Sequence, residues 1–132
     1  MQKILPFLVI LLLVIISACE DDSQNVTSKL PGTWHCQEKS AVFNSSYYDV
    51  EITRSTLNDN EILIDNFYHL GTGVKVNAYV SLDYLEIPEQ TASGFLISGT
   101  GNITDNGQKI TLIFTAQDNG GVDSVSAVLT RY

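Results

Sequence analysis

Residues 109–131 read KITLIFTAQDNGGVDSVSAVLTR, two alternating runs around a short polar break. Ile110, Leu112, Phe114 and Ala116 recur at every second position. Asp118-Asn119-Gly120-Gly121 then interrupts the run, and Val125, Ala127 and Leu129 resume the alternation against Ser124, Ser126 and Thr130. Apolar residues two apart line one face of a strand, and a short Asn/Gly-rich break between two such runs marks a hairpin.

The same period extends back through the chain and predicts eight strands. They cover residues 33–38, 47–54, 61–66, 74–80, 84–87, 94–103, 109–117 and 123–131, with Pro88 ending the fifth. Asn106-Gly107 is a strong hairpin signal. Asn58-Asp59-Asn60 and Ser81-Leu82-Asp83 supply further turns, and residues 56–60 have room for one short helical turn. Short connections pair sequence neighbours antiparallel. Eight strands in succession are best closed on themselves, because closure removes both edges. The expectation is an all-β, eight-stranded antiparallel up-and-down barrel, with a β-sandwich as the rival.

Pro31-Gly32-Thr33-Trp34 opens the first strand. The Gly-x-Trp of residues 32–34 resembles the lipocalin and wider calycin signature, which implies that Trp34 plugs one end of the barrel. Ile52, Ile64, Val76, Ile87, Phe95, Ile97, Ile110, Leu112, Phe114 and Leu129 are the bulky inward residues and predict a mostly filled interior. Ala78, Gly99, Gly101 and Ala127 are small inward positions. Glycines within barrel strands serve bending more often than ligand space.

The N-terminus has a different character. Lys3 precedes an apolar run from Ile4 to Ile16, shorter than the ~20 residues that span a bilayer and suited to a secretory signal. Ile16-Ser17-Ala18-Cys19 resembles the lipobox of bacterial lipoproteins. The resemblance implies a signal peptide over residues 1–18, cleavage before Cys19, and covalent diacylglycerol and an acyl chain on Cys19. Several acyl chains hold a protein on a membrane where one does so only marginally. Residues 19–29 read as a lipid-anchored flexible tether, and residues 30–132 as the barrel domain. Such an anchor implies the outer membrane of a Gram-negative bacterium. Glu20-Asp21-Asp22 resembles the acidic cluster that sends some lipoproteins to the outer face; surface and periplasmic placement both remain open.

The chain has 132 residues, with 7 Lys+Arg against 15 Asp+Glu and a net charge of -8. That balance excludes a nucleic-acid partner, which needs clustered cations. It equally excludes an anionic membrane held by charge alone. His35 is expected to face outward and His69 to lie in the loop NFYHLGTG of residues 66–73; neither has metal-ligand spacing to a Cys or acid. Asp118 and Asp123 bracket a turn without the alternating oxygens of a calcium loop. No cofactor is expected. No catalytic set can be assembled, so no enzyme is expected. Cys36, beside Trp34, reads as a buried small hydrophobe. Tyr47, Tyr48, Phe67, Tyr68, Tyr79 and Tyr84 form an aromatic set of the kind enriched in binding patches. Within it, Phe67, Tyr68 and His69 share one loop and are the expected partner-contact site. Asp123-Ser124-Val125 resembles a short O-glycosylation acceptor. The partners implied are the membrane through the anchor and an envelope protein or glycan. The other function the fold allows is carriage of a small apolar ligand.

Overall fold

The computed structural model describes residues 26–132. The signal segment 1–18, Cys19, the acidic residues 20–22 and the first part of the tether lie outside the described residues. Eight strands follow in order: β1 Gly32–Ser40, β2 Asn44–Arg54, β3 Glu61–Asp65, β4 Lys75–Ser81, β5 Tyr84–Ala92, β6 Phe95–Thr104, β7 Lys109–Asp118 and β8 Gly121–Arg131. Each pairs antiparallel with the next, and β8 returns to β1 through Trp34↔Arg131 to Ser40↔Val125. The sheet is a closed up-and-down barrel, which disposes of the sandwich.

The period-two pattern fills the interior. Ile52, Ile62, Ile64, Val76, Ile87, Ile97, Ile110, Leu112, Phe114 and Leu129 are buried. Phe95 is half-buried and packs on that core. The outer wall carries exposed Thr33, His35, Gln37 and Lys39 on β1 and Asp49 and Glu51 on β2. A barrel that crosses a bilayer needs an outward apolar band, which these β1 and β2 faces do not supply. No helix among the described residues is long and apolar enough to cross a membrane.

Gly99 and Gly101 let β6 press against β7. A Cβ on Gly99 would lie 2.4 Å from the Ile113 carbonyl oxygen and 2.4 Å from Phe114 Cβ. At Gly101 it would lie 2.5 Å from Leu112 Cδ2. The space these glycines leave is therefore filled by the neighbouring strand.

Trp34 closes one end. It is fully buried beside Leu30, and its indole Nε1 donates to the Leu30 carbonyl at 2.9 Å. The Arg131 guanidinium carbon sits 4.5 Å from the Trp34 ring centre, and Arg131 Nη1 donates to the Pro31 carbonyl at 2.9 Å. This cation–π contact ties the last strand to the first.

Three expectations need correction. The tether was expected to reach Lys29, but Val26–Lys29 forms a 3-10 turn with Thr27 buried against the barrel. Pro88 does not end β5. The strand continues to Ala92 through a register shift between Ile87 and Gln90, since a bulge tolerates the missing N–H of proline. Beyond Glu86, where the ladder from β4 to β5 ends, the Gln90 side chain replaces it. Its Oε1 accepts from Asn77 N at 2.9 Å and its Nε2 donates to Asn77 O at 2.8 Å. Residues 56–60 form no helical turn. Asn58 Oδ1 accepts from Asn60 N at 2.9 Å, the local side-chain bonding by which Asn competes with helix.

Candidate functional site

The connections 41–43, 66–74, 93–94 and 119–120 gather at the end opposite Trp34 and form a mouth. The longest of them contains a 3-10 turn at Phe67–His69. Asn66 directs it: Nδ2 donates to Asp49 O at 2.8 Å, and Oδ1 accepts from Gly71 N at 2.9 Å. Asn66, Tyr68 and His69 adopt left-handed backbone, with φ of 62, 55 and 56°. That conformation costs ordinary residues roughly 1–2 kcal/mol each and needs compensation from packing.

The compensation is inside the barrel. Phe67 packs on Phe114, ring centres 4.6 Å apart. Tyr68 meets Phe95 edge-on at 5.4 Å and Phe114 at 5.9 Å. Phe67 is 2% exposed and Tyr68 7%. The expected contact site of Phe67, Tyr68 and His69 is therefore corrected: the first two are a stopper for the mouth, and only His69 is exposed. Its ring stacks on Tyr48 at 4.8 Å with an interplanar angle of 6°.

Two carboxylates lie beneath the stopper. Asp123 Oδ2 accepts from the Tyr68 hydroxyl at 2.5 Å and from Ser40 Oγ at 2.5 Å, while Oδ1 accepts from Val42 N at 3.2 Å. Burial works against the charge on Asp123, but the bonds from Ser40, Tyr68 and Val42 outweigh it and hold the carboxyl below its ordinary 3.8. Glu38 accepts from the Tyr48 hydroxyl. Burial pushes Glu38 above its ordinary 4.5, the Tyr48 bond opposes this, and the charge on Asp123 adds to it. Burial, with the neighbouring acids, raises the Tyr48 and Tyr68 phenols. Cys36 lies deeper on β1, and burial pushes its thiol from 9.0 up to about 12.

The two acids were legible in principle. Counting by twos from Trp34 and Cys36 reaches Glu38, and counting back from Val125 reaches Asp123. Their charge draws attention to the surface or the turn instead. The mouth itself holds a cleft of about 210 Å³ lined by Val42, Phe43, Tyr68, Phe95, Val122 and Asp123, among others.

A larger cleft, about 530 Å³, lies on the outer wall of β1, β2 and β8. It is lined by His35, Gln37, Tyr47, Asp49, Thr130 and Tyr132, among others. The register sets His35 opposite Asp49 and Gln37 opposite Tyr47. His35 Nδ1 and Asp49 Oδ1 are 2.8 Å apart. The Tyr132 hydroxyl donates to Asp49 Oδ2 at 2.6 Å, and the Tyr132 and His35 ring centres are 3.5 Å apart. The Tyr132 bond, joined by His35, holds the Asp49 carboxyl below its ordinary value. Gln37 Nε2 donates to the Tyr47 hydroxyl at 3.3 Å. Tyr47 belongs to the aromatic set picked out in the sequence; Tyr132 does not, because nothing local indicates that it folds back over His35.

Among the described residues, no three His, Cys, Asp or Glu side chains gather to hold a metal. Ser124 lies exposed on the outer wall of β8.

The barrel has counterparts among solved structures. The chain is similar to a redesigned β-barrel, at 15% identity over 82% of this chain and 96% of that one, with a TM-score of 0.58. It is likewise similar to EF1p2_mFAP2b bound to DFHBI, at 15% identity over 82% and 98%, with a TM-score of 0.59. At that identity the likeness is one of fold: a closed eight-stranded up-and-down β-barrel. No protein-family model and no curated protein matches the chain.

Proposed function

We propose that the protein is a lipid-anchored, non-enzymatic binding domain, held through acylated Cys19 on the outer membrane of a Gram-negative bacterium. Its partner is an envelope protein or a glycan. The observation that carries the binding reading is the contrast between a filled interior and an open cleft of about 530 Å³ on the outer wall. Ligand sites usually measure about 300–1,000 Å³, and this one is rimmed by exposed tyrosines. The Ile16-Ser17-Ala18-Cys19 sequence supports the anchor, and Glu20-Asp21-Asp22 supports the outer face. Val26 joins the barrel at its Trp34 end, opposite the mouth. From Cys19 to Val26 the chain reaches at most roughly 25 Å.

Fatty-acid labelling of the wild type and of Cys19→Ala tests the anchor, with label expected only in the wild type. Protease treatment of intact cells tests display. Full protection of the barrel places it in the periplasm.

Carriage of a small apolar ligand is the second reading. The mouth cleft favours it, with Val42, Phe43, Phe95 and Val122 as apolar walls. Its volume of about 210 Å³ is below the usual lower size of roughly 300 Å³, which ranks carriage second.

A further inference from the structure

The outer-wall cleft carries more than a generic binding role. We propose that it is a site for a neutral oligosaccharide, taken between the rings of Tyr47 and Tyr132 and hydrogen-bonded by Asp49, His35, Gln37 and Thr130. This rests on the reading of the protein as a binding domain and names the ligand class of that cleft.

The rings are the first reason. Tyr47 is 73% exposed and Tyr132 75%, yet each has its hydroxyl hydrogen-bonded, Tyr47 accepting from Gln37 and Tyr132 donating to Asp49. Exposed aromatic faces whose hydroxyls are already restrained lose less freedom when a ligand stacks on them. The apolar face of a pyranose ring suits such a platform. Tyr47 and Asp49 are two residues apart on one face of β2, roughly 7 Å along the strand. Tyr132 bonds to Asp49 and overlies His35, and both tyrosines line the one cleft.

Polarity is the second reason. The same cleft is lined by a carboxylate, an imidazole, an amide and a threonine hydroxyl. These are donors and acceptors matched to sugar hydroxyls, and they stand on paired strands and not on loops.

Charge is the third. No Lys or Arg lines the cleft, and Asp49 supplies negative charge. Phosphorylated, sulfated or uronic glycans meet repulsion there. The cleft has the volume of a ligand site, whereas a stable protein–protein interface covers about 800 Å² on each partner, mostly over flatter surface.

The test is a glycan array probed with the full chain in detergent micelles, followed by titration of the strongest neutral hit. The expected result is binding to neutral glycans, none to polygalacturonate, and at least a tenfold loss in both Tyr47→Ala and Tyr132→Ala. Phe43→Ala at the mouth should bind like the wild type. Thermal melts of all three variants should match the wild type, since these side chains are exposed. Absence of neutral hits, equal binding of polygalacturonate, or wild-type affinity in the two tyrosine variants overturns the assignment. A protein photo-crosslinked through position 47 on intact cells, with no neutral glycan bound, also overturns it while leaving the binding-domain reading standing. Acylation of Cys19 is scored separately and does not enter the array result.

Discussion

The Tyr68 hydroxyl donates to Asp123 Oδ2 at 2.5 Å, joining the β3–β4 connection to the start of β8 across the barrel mouth. This bond holds the stopper down on a backbone that is left-handed at Asn66, Tyr68 and His69. Tyr68→Phe keeps the ring packing and removes the donor. A hydrogen bond to a charged group contributes about 1.5–3 kcal/mol, and that loss is expected in urea unfolding at pH 7. The folded-state pKa of Asp123 lies below its ordinary value. Its stabilisation is therefore present above the unfolded pKa and lost as pH falls through the folded one. The gap between Tyr68→Phe and wild type should close as pH falls below 3.8. A gap independent of pH would assign the loss to packing alone.

Glu38 behaves in the opposite sense. Its folded-state pKa is raised, so the fold favours the protonated acid. Stability falls as pH rises from the unfolded value of 4.5 through the folded one. Glu38→Gln removes that slope. Melting curves from pH 4 to 8 should show the variant gaining on the wild type as pH increases, and parallel curves would contradict this.

Cys36 should be silent in the native protein. A thiol pushed up to about 12 carries a thiolate fraction on the order of 10⁻⁴ at pH 8, and the thiolate is the reactive form. Iodoacetamide should leave Cys36 unmodified over hours at pH 8 and label it promptly in urea, as read by intact mass.

Gly99→Ala forces a methyl group onto the β7 backbone at 2.4 Å. Overpacking of this kind costs about 1–3 kcal/mol, and the neighbour here is a main-chain carbonyl that cannot swing aside. A lowered urea midpoint with unchanged slope is expected. Unchanged stability would mean that β6 and β7 separate easily.

The barrel was readable from alternation because a closed sheet imposes one inward and one outward row on every strand, as in Ile110-Leu112-Phe114. Glu38 and Asp123 obey the same alternation, but Glu38 is met by the Tyr48 hydroxyl from across the β1–β2 hairpin and Asp123 by the Tyr68 hydroxyl from a loop 55 residues earlier. Local pattern cannot show that partnership. Phe67-Tyr68-His69 was legible as special and misread in direction, since Asn66 rotates the turn through bonds to Asp49 and Gly71. The outer cleft was half visible: Tyr47 was, but Tyr132 gains meaning only when β8 returns beside β1.

The seam between β4 and β5 has a consequence for how the barrel opens. Its main-chain ladder covers only Tyr79↔Glu86, Val80↔Leu85 and Ser81↔Tyr84, and beyond that one glutamine side chain bridges the strands. A ring of strands unzips where its clasp is smallest. Gln90→Ala should leave Asn77 without both partners and convert that stretch into the first to exchange its amide hydrogens, while β6–β7 and β7–β8 remain protected. If Asn77 exchanges no faster than Ile97, the seam is held by its buried side chains. Faster exchange at Asn77 would mark this seam as the hoop's point of parting, the place where the cylinder unrolls into a sheet.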